Sequence, residues 1–207
     1  MMIVSKSTRL LAKILPQLTW EFQETGKKVY LTFDDGPTPD VTPWVLDKLK
    51  KFNAKATFFA LGRNVDHNPG IFQQIIDEGH SVGNHTYSHL KGWGCSNDTY
   101  FEDIELANRL IKSNLFRPPY GRIKPSQITD IQKSYRIIMW SVLSVDYNRH
   151  ISGDRCIKNV MTQVQPGSII VFHDSAKARK NVYHALPVVL ERLSQEGYGM
   201  ERLRSDM

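Results

Sequence analysis

Short apolar runs alternate with amphipathic stretches along this chain from Val29 onward. Residues 29–33 are a run of β-formers closed by Asp34-Asp35-Gly36-Pro37, a turn signal. Val41, Val45, Leu49 and Phe52 then recur at helical spacing, with Asp40 or Thr42 as a cap and Pro43 in the first turn. Residues 56–60 read as a buried strand. Asn68, Pro69 and Gly79 bracket a helix predicted to bury Ile71, Phe72, Ile75 and Ile76. A short strand over 80–83 precedes a helix opened by Ser96 or Asn97 that carries Tyr100, Phe101, Ile104, Ala107, Leu110 and Ile111. Strands are predicted at 115–117, 137–140 and 168–172, and helices over 152–165 and 181–196.

Strands that alternate with helices predict an α/β fold, a parallel sheet with helices outside it. Six or seven such units fill the chain, fewer than the eight of a standard (β/α) barrel. The length of 207 residues and the lack of any repeat or linker fit a single domain. Ahead of it, Leu11, Ile14, Leu15 and Leu18 form one face of an amphipathic helix whose other positions include Lys6, Arg9 and Lys13. Residues 1–24 are therefore expected to be an amphipathic segment packed on a domain of residues 25–207. Contact of that segment with a membrane surface is the less favoured reading.

Composition narrows the classes. A net charge of +6 is spread along the chain, with no basic stripe interleaved with aromatics, so nucleic-acid binding is not expected. Basic residues interrupt the N-terminal apolar runs and no small-residue cleavage site follows. With no stretch of about 20 apolar residues either, a cytoplasmic location is the default expectation. Cys95 and Cys156 lie far apart and read as free thiols. Nothing in the sequence fixes an oligomeric state.

The chemistry gathers where strands end. Asp34 and Asp35 close the first strand, and His85 and His89 follow a later one with four-residue spacing. Together they supply three metal ligands and leave one carboxylate over. Three protein ligands with an open position mark a catalytic metal site, and the spare carboxylate can serve as a base toward water. Nitrogen-rich ligation with one carboxylate suits zinc, cobalt or nickel better than magnesium. Arg117, Asp146 and His173 also follow strands, so all can share one mouth at the C-terminal edge of a parallel sheet.

Four ordered motifs, Thr32-Phe33-Asp34-Asp35-Gly36, His85-Thr86-Tyr87-Ser88-His89, Arg117-Pro118-Pro119-Tyr120 and Val171-Phe172-His173, resemble those of the polysaccharide deacetylases. This is the NodB-homology domain of carbohydrate esterase family four, and the resemblance runs from about Lys28 to Tyr198. It implies a distorted (β/α) barrel of seven parallel strands and metal-dependent hydrolysis of N-acetyl groups on N-acetylglucosamine glycans such as peptidoglycan or chitin-like oligomers. Asp35, His85 and His89 would hold zinc. Asp34, pointing away from Asp35 by strand alternation, would be the catalytic base, oriented by a bidentate Arg117. The Tyr120 amide would be the oxyanion donor and its ring packing only. His173 would be the general acid, its pKa raised by Asp146, with Asp174 as a second-ranked partner.

The chain departs from the family pattern at Leu143, where an aspartate is expected, at Tyr147, where a tryptophan is expected, and at Val171, where leucine is expected. Tyr147 and Val171 are read as groove residues whose changes bear on substrate choice, and Trp93 as a further sugar-stacking candidate. O-deacetylation of xylan is the runner-up activity, and a vestigial glycan-binding protein is the rival from another class.

Overall fold

The computed structural model describes residues 10–23 and 26–204. Eight strands, β1 Lys28–Asp34, β2 Thr57–Ala60, β3 Ser81–Asn84, β4 Leu115–Phe116, β5 Arg136–Ile137, β6 Val142–Leu143, β7 Ile169–His173 and β8 Gly199–Glu201, form one sheet. Its order is β5-β4-β3-β2-β1-β7-β6, with β8 added alongside the start of β1, and every pairing is parallel. The seven strands of the main path curl into a half-barrel with β5 and β6 at its two edges, the expected distorted barrel.

Strand alternation divides the interior in two. Leu31 and Phe33 of β1, Phe58 of β2, and Ile170 and Phe172 of β7 face outward. There they pack with Val45 and Leu49 of the helix Thr42–Lys51 and with Val182, Leu186 and Val189 of the helix Arg179–Gln195. The intervening Tyr30, Phe59 and Ile169 fill the barrel with Leu115, Ile138 and Leu203. Continuing along that inner face, β1 presents Thr32 and then Asp34, paired in register with Val171 and His173 of β7. The period of two that buries the core thus delivers polar residues to the top of the barrel.

Several expected elements shift. Val41, not Asp40 or Thr42, caps the helix Thr42–Lys51, and it does so without a side-chain hydrogen bond. The Thr42 hydroxyl is engaged instead by Asp174 and by the Thr38 N–H. Ser96 caps the helix Asn97–Ile111 by accepting from the Thr99 N–H. Ile76 and Leu110, expected in the core, are 41% and 38% exposed, because the sheet contacts only one side of their helices. The pair β6, the terminal β8 and the helices Gly62–His67 and Pro125–Ile131 were not anticipated; each is too short to show a period. The strand expected at 137–140 is a two-residue ladder continued by a bridge between Thr19 and Ile138.

The N-terminal segment joins the sheet through that bridge and a second between Glu21 and Ser168. Leu18 and Trp20 are buried and Leu15 packs beside them. Leu11 and Ile14, expected on the same face, are 43% and 62% exposed. The helical stretch ends at residue 14, so the apolar face is not continuous as far as Leu18. Lys6 and Arg9 lie outside the described residues. Among the described residues no helix is long and apolar enough to cross a membrane. Both cysteines are free.

Gly167 locks the segment to the foot of β7. It adopts φ +85°, donates to the Lys28 carbonyl and accepts from the Phe22 N–H. A Cβ there would sit 1.8 Å from the Phe22 carbonyl oxygen. Gly167→Ala is expected to destabilise the protein by about 2–4 kcal/mol, seen as a fall of about 4–16 °C in the thermal midpoint. An unchanged midpoint would show that this junction is not under constraint.

Candidate active site

Asp34 and His173 are register partners on adjacent parallel strands, so a carboxylate and an imidazole enter the same mouth side by side. Asp35 follows at φ 78°, in the left-handed region, and the chain turns sharply. That turn, rather than strand alternation, separates the two carboxylates, because Asp35 lies beyond the end of β1. Both side chains line one pocket.

His85 is the first residue after β3, and Thr86 and His89 adopt φ 66° and 65° in the loop that follows. The His85 Nδ1–H donates to the Arg117 carbonyl over 2.7 Å, which leaves the Nε2 lone pair free to ligate. His85 Nε2 lies 3.7 Å and His89 Nε2 3.2 Å from Asp35 Oδ1. One ligand atom from each of the three residues falls within 4.8 Å of the others. Donors about 2.0–2.2 Å from a tetrahedral ion stand roughly 3.3–3.6 Å apart, so these three fit one small divalent cation.

The electrostatics agree. Asp35 Oδ1 is buried without a hydrogen-bond partner among the described residues, an arrangement that costs free energy unless a cation meets it. Burial lowers the pKa of His85, and burial followed by its neighbour His85 pushes His89 down to about 4, so both imidazoles are neutral near neutral pH, the form that metal ligation requires. Burial works against the Asp35 charge, but His173, then His85 and His89, hold its pKa below the ordinary carboxylate value.

Arg117 is completely buried inside the barrel, where its guanidinium stacks 4.1 Å from the Phe59 ring. Nη1 donates to Asp34 Oδ1 over 2.6 Å and to Thr32 Oγ1 over 2.8 Å, Nη2 to the Met139 carbonyl and Nε to the Ile138 carbonyl. The expected bidentate grip on Asp34 is therefore a single bond, since the remaining donors satisfy backbone carbonyls. The other Asp34 oxygen is left without a hydrogen bond among the described residues.

Asp146 holds His173 twice, through Nδ1 at 2.7 Å and through the backbone N–H at 2.8 Å. Burial opposes the imidazolium, but the adjacent Asp146 carboxylate outweighs it and raises the His173 pKa to about 9. Asp174, the second-ranked partner, turns away: it accepts from the Gly36 N–H at 3.0 Å and the Thr42 hydroxyl at 2.6 Å. Gly36 has to be glycine, because a Cβ would meet the Asp174 carboxylate at 1.9 Å.

The pocket has a volume of about 560 Å³ and includes Tyr120, Trp140, Leu143, Tyr147 and Val171. Pro118 and Pro119 have no N–H, and Tyr120, the first residue after Arg117 with a backbone N–H, adopts φ 61°. The Tyr120 ring is 61% exposed and leans on His89 at 4.5 Å. Tyr147 meets His173 edge-on at 5.0 Å. Trp93 stands outside the pocket lining, with Arg122 over its ring and its indole N–H donated to the Ile123 carbonyl. Residues missed in the sequence are Trp140, whose buried indole N–H has no partner among the described residues, and the cations Lys91, Arg122 and Lys177. Lone basic residues in loops carry no spacing signal. A larger, more open groove of about 1000 Å³ lies at the starts of β3 and β4 and holds no comparable ligand set among the described residues.

Three comparisons bear on this site. The sequence profile described as polysaccharide deacetylase matches residues 23–137. A peptidoglycan-N-acetylglucosamine deacetylase of Bacillus cereus is 39% identical over 178 residues, which cover 82% of this chain and 64% of the relative. A chitooligosaccharide deacetylase of Bradyrhizobium is 31% identical over 196 residues, covering 86% of this chain and 89% of that one. Among solved structures, the Bc1960 peptidoglycan N-acetylglucosamine deacetylase superposes with a TM-score of 0.85 at 35% identity, covering 93% of this chain and 94% of its own.

The Asp174 contacts make the ligand loop depend on one buried side chain. Asp174→Ala leaves the Gly36 N–H and the Thr42 hydroxyl without that acceptor, at a cost of about 2–4 kcal/mol. Asp174→Asn, which keeps an acceptor for Gly36, is expected to lose less than half as much. Denaturant melts of the two variants measure both values, and equal losses would remove the hydrogen bond as the cause.

Proposed function

The chain belongs to the polysaccharide deacetylase family, and we propose that it hydrolyses N-acetyl groups of N-acetylglucosamine-containing glycans, leaving a free amine and releasing acetate. One observation carries the reading: a carboxylate held by a buried arginine and an imidazole held by a buried carboxylate flank the same Asp35, His85, His89 cluster. A glycan-binding module has no use for an acid and a base facing one ligand set.

Asp34 is the base. Arg117 fixes one of its oxygens, and the other takes a proton from the attacking water. The Tyr120 N–H donates to the oxygen that becomes negative as the acetyl carbon turns tetrahedral. His173, with Nδ1 tied to Asp146, gives the proton on Nε2 to the departing nitrogen. Asp35, His85 and His89 hold a divalent metal, zinc by preference with cobalt or nickel as substitutes. Such an ion supplies Lewis acidity toward water and carbonyl oxygen. Val171 and Leu143, neighbours on β7 and β6, form the floor beneath the acetyl group, and Tyr147 forms its wall.

Acetate release from chitooligosaccharide is expected to cease with a chelator and return with zinc. His85→Ala should lose the retained metal, measured by elemental analysis of protein purified without added metal. Asp34→Asn should keep the metal and lose about 10²–10⁴ in kcat; near-normal turnover would remove Asp34 from its role.

The His173–Asp146 pair sets a pH limit. Activity needs His173 protonated, so it falls as pH rises through about 9, or somewhat lower when a nearby cation opposes the imidazolium. Asp146→Asn is expected to move that alkaline limb toward the unperturbed histidine value of about 6.5. The pair's contribution to folding is fully present below about pH 6.5 and is lost as pH climbs through about 9. The kcat/KM profiles of both proteins check the assignment.

A further inference from the structure

The mouth of the pocket carries three cations that the reaction itself does not use. Lys91, Arg122 and Lys177 all line it, from the loops after β3, β4 and β7. Each charge rests against an aromatic ring, and Lys177 also lies within electrostatic reach of Asp35. Lys91 Nζ is 5.8 Å from the Tyr120 ring centre, Arg122 Cζ 5.3 Å from that of Trp93, and Lys177 Nζ 5.5 Å from that of Tyr147. None of the three makes an ion pair among the described residues, whereas Lys48, Lys51 and Lys133 on the outer surface do. The acidic residues of the pocket lining are Asp34 and Asp35, and both are committed, one to Arg117 and one to the histidines.

We propose that this basic rim selects N-acetylglucosamine glycans that carry carboxylates over neutral ones; the inference rests on the deacetylase reading above. A neutral sugar polymer gains little from three cations without ion pairs, whereas a carboxylate on the unit next to the acetylated sugar is attracted by all three. A cation seated on a ring keeps its charge available while its stem is held in place, and the Tyr120 and Tyr147 rings, which also line the pocket, offer surface to the sugar. Exposed charge contacts are individually weak, so the rim acts through their sum and through steering of the approaching chain. A general surface excess of +6 would not by itself seat three cations on one pocket with a ring beneath each. In a peptidoglycan-type strand the anion comes either from the lactyl ether of the neighbouring sugar or from the peptide stem attached to it.

The test compares acetate release by the zinc-loaded protein from soluble oligosaccharides of equal length. These are chitotetraose, a peptide-free tetrasaccharide with lactyl carboxylates, the same glycan with peptide stems, and both anionic glycans with their carboxylates converted to methylamides. The native protein is expected to favour a carboxylate form over its methylamide by about tenfold in kcat/KM at 0.1 M salt. The preferred form identifies the source of the anion. The preference should shrink to about twofold or less at 1 M salt, where the Debye length falls from about 10 Å to about 3 Å. It should shrink likewise in the combined variant Lys91→Gln, Arg122→Gln, Lys177→Gln. Equal kcat/KM on acid and amide forms in the native protein overturns the proposal without recourse to any variant, as does a preference that survives the triple substitution. Acetate from chitotetraose alongside such equality leaves the deacetylase reading standing; no acetate from any glycan removes both.

Discussion

Arg117 is a full positive charge at the centre of a barrel, with a single carboxylate to answer it. Burying a guanidinium costs several kcal/mol unless its donors are met. Here they are met by Asp34 and Thr32 of β1, inside the sheet, and by the carbonyls of Ile138 and Met139, just after the edge strand β5. The same residue's carbonyl accepts from His85. One side chain therefore fixes Asp34, and its backbone fixes His85, so the proposed base and the proposed ligand set share a support. The apolar rings of Phe59 and Trp140 around it keep water away and strengthen each of those bonds.

Above that support, the loops are strained. Asp35, Thr86, His89, Tyr120 and Val145 all adopt positive φ, and each is a member of the Asp35, His85, His89 cluster, the residue proposed as oxyanion donor, or the direct neighbour of His85 or Asp146. Among the described residues, the other non-glycine cases, Asn53 and Lys112, end helices, where a left-handed residue is ordinary. Thr86 and Val145 are the sharpest instances, because a β-branched side chain resists this region most. Such conformations cost on the order of 1 kcal/mol or more each. They persist because the sheet and its two cores over-determine the loop ends.

Much of this was legible in the sequence because chemistry constrains residue type. Only certain residues ligate a metal or move a proton, so Asp34, Asp35, His85, His89, Arg117 and His173 stood out, and the structure brings them to one pocket or to its support. Geometry was less legible. Strand alternation was invoked to separate Asp34 from Asp35, but a left-handed turn does it. Arg117 was expected to grip with two bonds, but its spare donors had backbone to satisfy. Short elements such as Val142–Leu143 and Gly199–Glu201 exist only because longer strands hold them. Trp140 and the three rim cations are ordinary residues in the sequence, and Asp174 is a candidate only for the wrong partner; they acquire meaning from what folding sets beside them.

The division between a well-packed sheet and strained loops has a consequence for descent. The outward core and the barrel filling lie below the mouth, so apart from the Arg117–Asp34 pair the fold depends little on the chemistry above. A substitution at one mouth residue can silence hydrolysis while the scaffold persists, and relief of strain there would even reward it. Shape and activity are inherited on separate terms, and a lineage of such barrels can keep the vessel long after it has changed or abandoned the contents.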